Sequence, residues 1–216
     1  MEKATGQDYP QYAVMLNIQG KSCHVIGGGF VATRKVRQLL ECGAKVIIVS
    51  PSLTVELAGL AEQNKIDYRA RDYDPTDVAE AQLMFAATDD PDINDRIAAD
   101  CRQAKVMVNI AHASERSDFT NPGVLRYGPV QINISTGGAS PTLTRHIVDK
   151  VNQIIDDRIG LLAESMLTAR HTAQRLIHDA DQRQEYLRQF GDACWKAWER
   201  NEHFPEWSEW IQQQEL

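Results

Sequence analysis

The chain has 216 residues, 43% of them hydrophobic and 25% charged, the mixture of a globular protein long enough for one large domain or two small ones. Thirty Asp and Glu against 23 Lys and Arg leave a formal charge of -7, so no overall positive field exists to draw nucleic acid or an anionic membrane. Four cysteines stand singly at 23, 42, 101 and 194, outside zinc-site or disulfide-framework spacing, as suits a reducing cytoplasm. The polar start MEKATGQDYP and the lack of any apolar run of about eighteen residues set the expectation of a protein neither exported nor membrane-spanning.

In chain order, short apolar runs alternate with helical patterns up to residue 113. Strands are predicted over 22–26, 45–49, 66–70, 83–87 and 106–110, with a further short strand at 15–18. A helix over 31–42 turns Val36, Leu39 and Leu40 inward, and one over 91–104 turns Ile93, Ile97 and Ala98 inward. Such βαβ units build a parallel sheet. Beyond 113 the pattern changes. Segments 124–127 and 130–135 flank Gly128-Pro129, and Val130, Ile132 and Ile134 alternate with polar residues as in a half-buried antiparallel hairpin. Ser140 and Pro141 then stand as N-cap and first position of a helix over 142–157.

The remainder reads as all-helical. Leu161, Leu162, Met166, Leu167 and Leu176 recur at helical spacing, and the four tryptophans fall at 195, 198, 207 and 210, a helical core or an aromatic ligand wall. The fold class is α/β: a parallel-sheet domain over 1–113, a small antiparallel element over 114–150 and a helical domain over 151–216.

The first chemical signal is Gly27-Gly28-Gly29-Phe30-Val31-Ala32, a G-x-G-x-x-A between a predicted strand and a predicted helix. Gly27 makes the tight turn, Gly29 lets backbone approach a pyrophosphate, and Ala32 allows close helix packing. The helix N-terminus supplies partial positive charge and free N–H groups. Gly27, Gly28, Gly29, Phe30 and Val31 are therefore candidate cofactor-binding residues. A carboxylate usually ends the second strand and holds the adenosine ribose; here Ser50-Pro51-Ser52 offers hydroxyls, so charge repulsion does not separate NAD from NADP. Arg34 and Lys35 either meet a 2′-phosphate or line a solvated helix face. NAD is the expected cofactor, with Ser50, Pro51, Ser52 and Thr88 at the strand ends completing its site.

Three further features follow: Ala86-Ala87-Thr88-Asp89-Asp90, Val108-Asn109-Ile110-Ala111-His112 and Ser135-Thr136-Gly137-Gly138-Ala139-Ser140-Pro141. The first two fall at strand ends, where a doubly wound sheet binds ligands. The third is either a backbone anion nest or a helix cap with a flexible lead-in. As an ordered set these motifs resemble the precorrin-2 dehydrogenase family, the dehydrogenase module of siroheme synthases, over roughly residues 12–151. The resemblance implies NAD-dependent oxidation of precorrin-2 to sirohydrochlorin, a Rossmann domain followed by a dimerisation element and a helical domain, and a homodimer with its active site near both subunits. No methyltransferase module is expected within the 216 residues.

Precorrin-2 is a tetrapyrrole with eight carboxylates, so the site needs cationic and N–H groups. Asn109, Arg116, Thr136, Gly137, Gly138 and Ser140 are the substrate-binding candidates, with Arg126, Arg145 and His146 beside them. Family members that also insert iron carry Asp where this chain has His112. A neutral imidazole accepts a proton near pH 7, so His112 is the candidate catalytic base. The remaining histidines lack ligand spacing, and no metal site is expected. The alternatives are a bifunctional dehydrogenase and ferrochelatase, favoured by the family but not by His112, and a non-catalytic NAD(H)-sensing or tetrapyrrole-binding module.

Overall fold

The computed structural model describes residues 11–111 and 113–214. They form two compact units, one ending at Asn121 and one beginning at Pro122.

The first unit runs β1 (Ser22–Ile26), α1 (Phe30–Glu41), β2 (Lys45–Val49), α2 (Val55–Glu62), β3 (Asp67–Arg69), a 3-10 turn at Pro75–Val78, β4 (Leu83–Ala86), α3 (Pro91–Ala104), β5 (Met107–Ile110) and a second 3-10 turn at Ser114–Arg116. The five strands are parallel in the order β3-β2-β1-β4-β5. β1 lies at the centre because its residues after Ser22 are all buried. Cys23 and Val25 pack on one face with Ala32, Val36 and Leu39 of α1, while Ile26 packs on the other with Ile97 and Ala98 of α3. Full burial of a Val or Ile side chain contributes roughly 1.5–3 kcal/mol. Ile26 pairs with Val49 on one side and Ala86 on the other. The chain therefore leaves β1 at the switch point between β2 and β4, where open α/β sheets bind ligands.

The first unit departs from expectation at residues 15–18 and at α2. No strand forms over residues 15–18: Ile18 packs against the first apolar layer, but Val14, Met15 and Leu16 are exposed. The helix α2 was not anticipated, because Leu57 is its one buried residue and a single position makes no stripe. Its start is fixed instead by Thr54, whose side chain accepts from Leu57 N at 3.4 Å.

The second unit contains β6 (Gly123–Tyr127), β7 (Val130–Ile134), α4 (Pro141–Asn152), α5 (Arg158–Leu176), α6 (Ala180–Glu199) and α7 (Trp207–Gln212). β6 and β7 form the expected antiparallel hairpin, with Tyr127 opposite Val130. The helix expected over 142–157 stops at Asn152, and α5 restarts after Asp156 accepts from Arg158 N at 3.1 Å. The helical core holds Ala169, Ala173, Ile177, Phe190, Cys194 and Trp207, with Leu162 and Met166 packed against it. Leu161, Leu167 and Leu176 are exposed instead. Phe190 meets Trp207 and Trp210 edge-on at 5.1 and 5.5 Å, so this tryptophan pair serves burial, whereas Trp195 is exposed beside Trp198. Among the described residues no helix is long and apolar enough to cross a membrane.

Candidate functional site

The Gly-rich turn is held at both edges of β1. Gly27 N donates to Val49 O at 2.9 Å, and Ala87 N donates to Ile26 O at 2.8 Å. Gly27 has φ +115, and a Cβ there would lie 2.3 Å from Ala87 O. A Cβ on Gly28 would lie 1.9 Å from Ser52 O, so this glycine lets the loop after β2 cross the turn, and Thr54 N donates to Gly28 O at 2.9 Å. Gly29 differs from both: a Cβ there would meet nothing within 4 Å. Thus two glycines serve internal packing and the third faces open space.

Gly29 is the N-cap of α1 and, with no side chain of its own, caps nothing; the first turn carries no acidic residue. The other helices of this unit differ. Thr54 caps α2 with Glu56 in the first turn, and Asp90 caps α3 with Asp92 in the first turn. The N–H groups opening α1 thus keep their full attraction for an external anion. A pyrophosphate fits this cradle, since open space lies where a Cβ would intrude. Phe30, the first helical residue, is 88% exposed, and Val31 packs against the core.

The other strand-end candidates are placed as follows. Ser50 follows β2 and is buried; its Oγ donates to Ser52 O at 2.8 Å, so it shapes the Pro51-Ser52 turn from within. Thr88 follows β4, with Oγ1 2.9 Å from Asn94 Oδ1 and 2.9 Å from Asp90 O. Asn109, on β5, is buried and donates to Phe119 O at 2.9 Å. Arg116 pairs with Asp95 and lies 3.6 Å from Glu115, which compensates its charge locally. The candidate base, His112, lies outside the described residues.

In the second unit, Thr136, Gly137, Gly138 and Ser140 come together at the start of α4. Gly137 and Gly138 have φ +62 and +83. Ser140 Oγ accepts from Leu143 N at 3.1 Å as the predicted cap, while Thr136 Oγ1 lies 2.9 Å from Thr144 Oγ1 and accepts from Ser140 N at 3.4 Å. Gly137 N donates to Ser135 Oγ and Ala139 N to Thr136 O. The loop therefore satisfies much of its own backbone, and a Cβ on Gly137 would meet nothing within 4 Å.

Three ionisable groups in the first unit were not singled out as interacting. Lys35 is buried on α1, donates to Asn121 Oδ1 at 2.8 Å and lies over the Phe85 ring; burial, and then the charge of Arg34, pull its ammonium down to about 8. Asp77, fully buried, accepts from Arg69 and Arg71. Burial pushes its carboxyl up, but hydrogen bonds from Arg71, the Asp74 backbone and Arg69 outweigh that and leave it below the usual range. His24 is buried with Nδ1 unpartnered; burial first, then Arg69, lower its pKa against the opposing pull of Asp77, Glu80 and Asp67. The pattern Asp74-Pro75-Thr76-Asp77 was a readable signal, because an acid three residues after an N-cap, with Pro between, marks a capping box, and one forms here. Among the described residues no cluster of three or more His, Cys, Asp or Glu is placed to hold a metal ion.

A parallel sheet with an uncapped helix behind a Gly-rich turn at its switch point defines a dinucleotide-binding protein. Residues 14–123 match a family model described as "Putative NAD(P)-binding", and the chain belongs to that family. Residues 128–152 match one described as "Sirohaem biosynthesis protein central". The siroheme synthase of Thioalkalivibrio sulfidiphilus (strain HL-EbGR7) is 33% identical over 175 residues, covering 81% of this chain and 36% of that protein. That of Nitrosomonas europaea is 34% identical over 172 residues, covering 79% and 36%. The chain thus spans a little over a third of the length of these relatives. The solved structure titled "SirC, precorrin-2 dehydrogenase" shares the fold, with a TM-score of 0.78 at 24% identity, covering 94% of this chain and 98% of that one.

Proposed function

We propose that the chain is an NAD-dependent precorrin-2 dehydrogenase that oxidises precorrin-2 to sirohydrochlorin in siroheme biosynthesis. The observation that carries this reading is the start of α1, which lacks a capping side chain and a first-turn acid and opens on empty space at Gly29. The matches to siroheme synthases and to a precorrin-2 dehydrogenase fold supply the substrate. NAD, when bound, accepts the hydride that leaves the macrocycle.

This chain's own residues have three tasks. The N–H groups of Phe30 and Val31 at the head of α1 hold the pyrophosphate, and the turns at Ser50-Pro51-Ser52 and Thr88 frame the nucleotide. The loop before α4, with Thr136, Ser140 and the exposed Gly137 and Gly138, meets substrate carboxylates. His112 takes the proton released as the hydride departs, leaving the macrocycle two electrons and one double bond further on. We assign NAD rather than NADP because Arg69, at the end of β3, and Arg71, just after it, are already bound to Asp77.

The working form is a homodimer. None of α4 is buried, and Leu143 and Ile147 on it are exposed, which suits covering by a second copy. A cytoplasmic location agrees with the buried thiols of Cys23, Cys101 and Cys194, all free. The test supplies precorrin-2 and NAD and follows NADH fluorescence together with sirohydrochlorin absorption. Both signals are expected, with His112→Ala lowering kcat while leaving NAD affinity intact. Folded protein silent in both channels refutes the reading. Metal-dependent spectral change with sirohydrochlorin and Co2+, without NAD, would make the enzyme bifunctional.

A further inference from the structure

The C-terminal end of β2 is where this fold receives the adenosine ribose, and an arginine nearby is what accommodates a 2′-phosphate. Here the acid that usually excludes that phosphate is replaced by Ser50, and two arginines stand one strand away. Ser50 N donates to Arg69 O at 3.2 Å, and Arg71 N donates to the same oxygen at 2.9 Å. From these residues alone the site would favour a phosphorylated nucleotide.

The side chains reverse that expectation. Asp77 is 0% exposed, and its Oδ1 accepts from Arg69 Nη1 at 3.1 Å and from Arg71 Nη2 at 2.6 Å. Its Oδ2 accepts from Arg71 Nη1 at 2.7 Å and from Asp74 N at 3.0 Å. Arg69 also reaches Glu80 at 3.4 Å and Asp67 at 3.8 Å. Two guanidinium groups thus face three carboxylates, and the local balance is negative. The charges of Arg69, Asp77, Glu80 and Asp67 are felt by His24, which stands opposite Ile47, two residues before β2 ends at Val49. Both arginine heads are therefore held on Asp77.

We propose that Asp77 is a cofactor-specificity residue: by holding Arg69 and Arg71 back and adding negative charge, it denies a 2′-phosphate its cations and makes the unphosphorylated nucleotide the preferred one. The proposal rests on the nicotinamide-nucleotide reading above. Asp77 reaches the nucleotide only through the arginines, so it is a positioning residue, and binding rather than turnover is its readout. Arg71 is the more exposed of the pair and carries the larger share of any gained phosphate contact.

The experiment is calorimetric titration of the full chain with NAD+ and, separately, with NADP+, for wild type, Asp77→Asn and Glu80→Gln. In Asp77→Asn the NADP+ dissociation constant is expected to fall about tenfold, as one charge-assisted hydrogen bond would give, with NAD+ affinity little changed. Adding Arg71→Gln to that variant should abolish the gain. Asp77 also accepts from the Asp74 backbone, so its variant can fail to fold; Glu80→Gln, at an exposed side chain, keeps the test open and should tighten NADP+ by about threefold. Unchanged NADP+ affinity in the folded variants, with NAD+ bound normally, overturns the proposal alone. Absence of NAD+ binding in the wild type overturns the underlying cofactor reading, and this proposal with it.

Discussion

Replacing Gly29 by Ala separates cofactor binding from folding in a way that neighbouring glycines cannot. Gly29 has φ -85 and ψ -168, an extended conformation open to Ala, and the new methyl would meet nothing within 4 Å. The expected structural penalty is the loss of glycine at an N-cap, about 1 kcal/mol at most, or a few degrees in Tm. The same methyl would enter the open space at the head of α1 that is assigned to the pyrophosphate. Losing one hydrogen bond to a charged phosphate costs about 1.5–3 kcal/mol, roughly ten- to a hundredfold in the NAD+ dissociation constant. Gly28→Ala is the control: its Cβ would fall 1.9 Å from Ser52 O, so backbone must move, at about 1–3 kcal/mol or more, and binding and stability should fail together. Thermal melting and calorimetry on both variants decide the matter. A folded Gly29→Ala protein with wild-type NAD+ affinity would refute the assignment of the pyrophosphate to this turn.

Two further outcomes concern the buried charges. His24 has its pKa lowered by burial and by Arg69, so the unfolded chain binds a proton near pH 6.5 that the folded chain refuses. Stability should be full above about pH 6.5 and decline as pH falls below it, and denaturant midpoints for His24→Leu should flatten that slope; an equal slope in the variant would assign it to other groups. Lys35 is the opposite kind of burden at neutral pH. Its fall from 10.5 to about 8 corresponds to roughly 3 kcal/mol against the folded state at pH 7, where the unfolded and folded chains both hold the proton. Lys35→Met should therefore raise Tm at pH 7, leaving the exposed Asn121 to water, and the advantage should shrink as pH climbs through 8 towards 10.5. A pH-independent difference, or destabilisation at pH 7, would contradict this account.

The readable parts of the fold are those whose cause is local. β1 and β2 match their predicted limits because each carries a short apolar stretch, interrupted in β1 by His24, and both faces of a central parallel strand are buried. β3 shrinks to three residues because Asp67 and Arg69 turn to the charged network and Tyr68 alone joins the apolar layer. The cap of α4 was legible for the same reason as the glycine turn: Ser140 reaches Leu143 N three residues on. The end of α4 was not, because apolar residues continue past Asn152 into Ile154 and Ile155 although the helix does not.

Charge partnership is what a single pass along the chain cannot reach. Arg116 has the composition of a carboxylate binder, yet its nearest carboxylate is Asp95, twenty-one residues earlier on α3. Thr88 looks like a free hydroxyl at a strand end, yet Asn94 of the following helix occupies it. Arg69 and Arg71 look like phosphate ligands until Asp77 is brought under them by the crossover from β3 to β4. The glycine turn escapes this difficulty because its property is the absence of a side chain, and nothing distant can cancel an absence. The cofactor's position is thus set by residues whose role is legible locally, whereas its identity depends on charges that pair only after the sheet has formed.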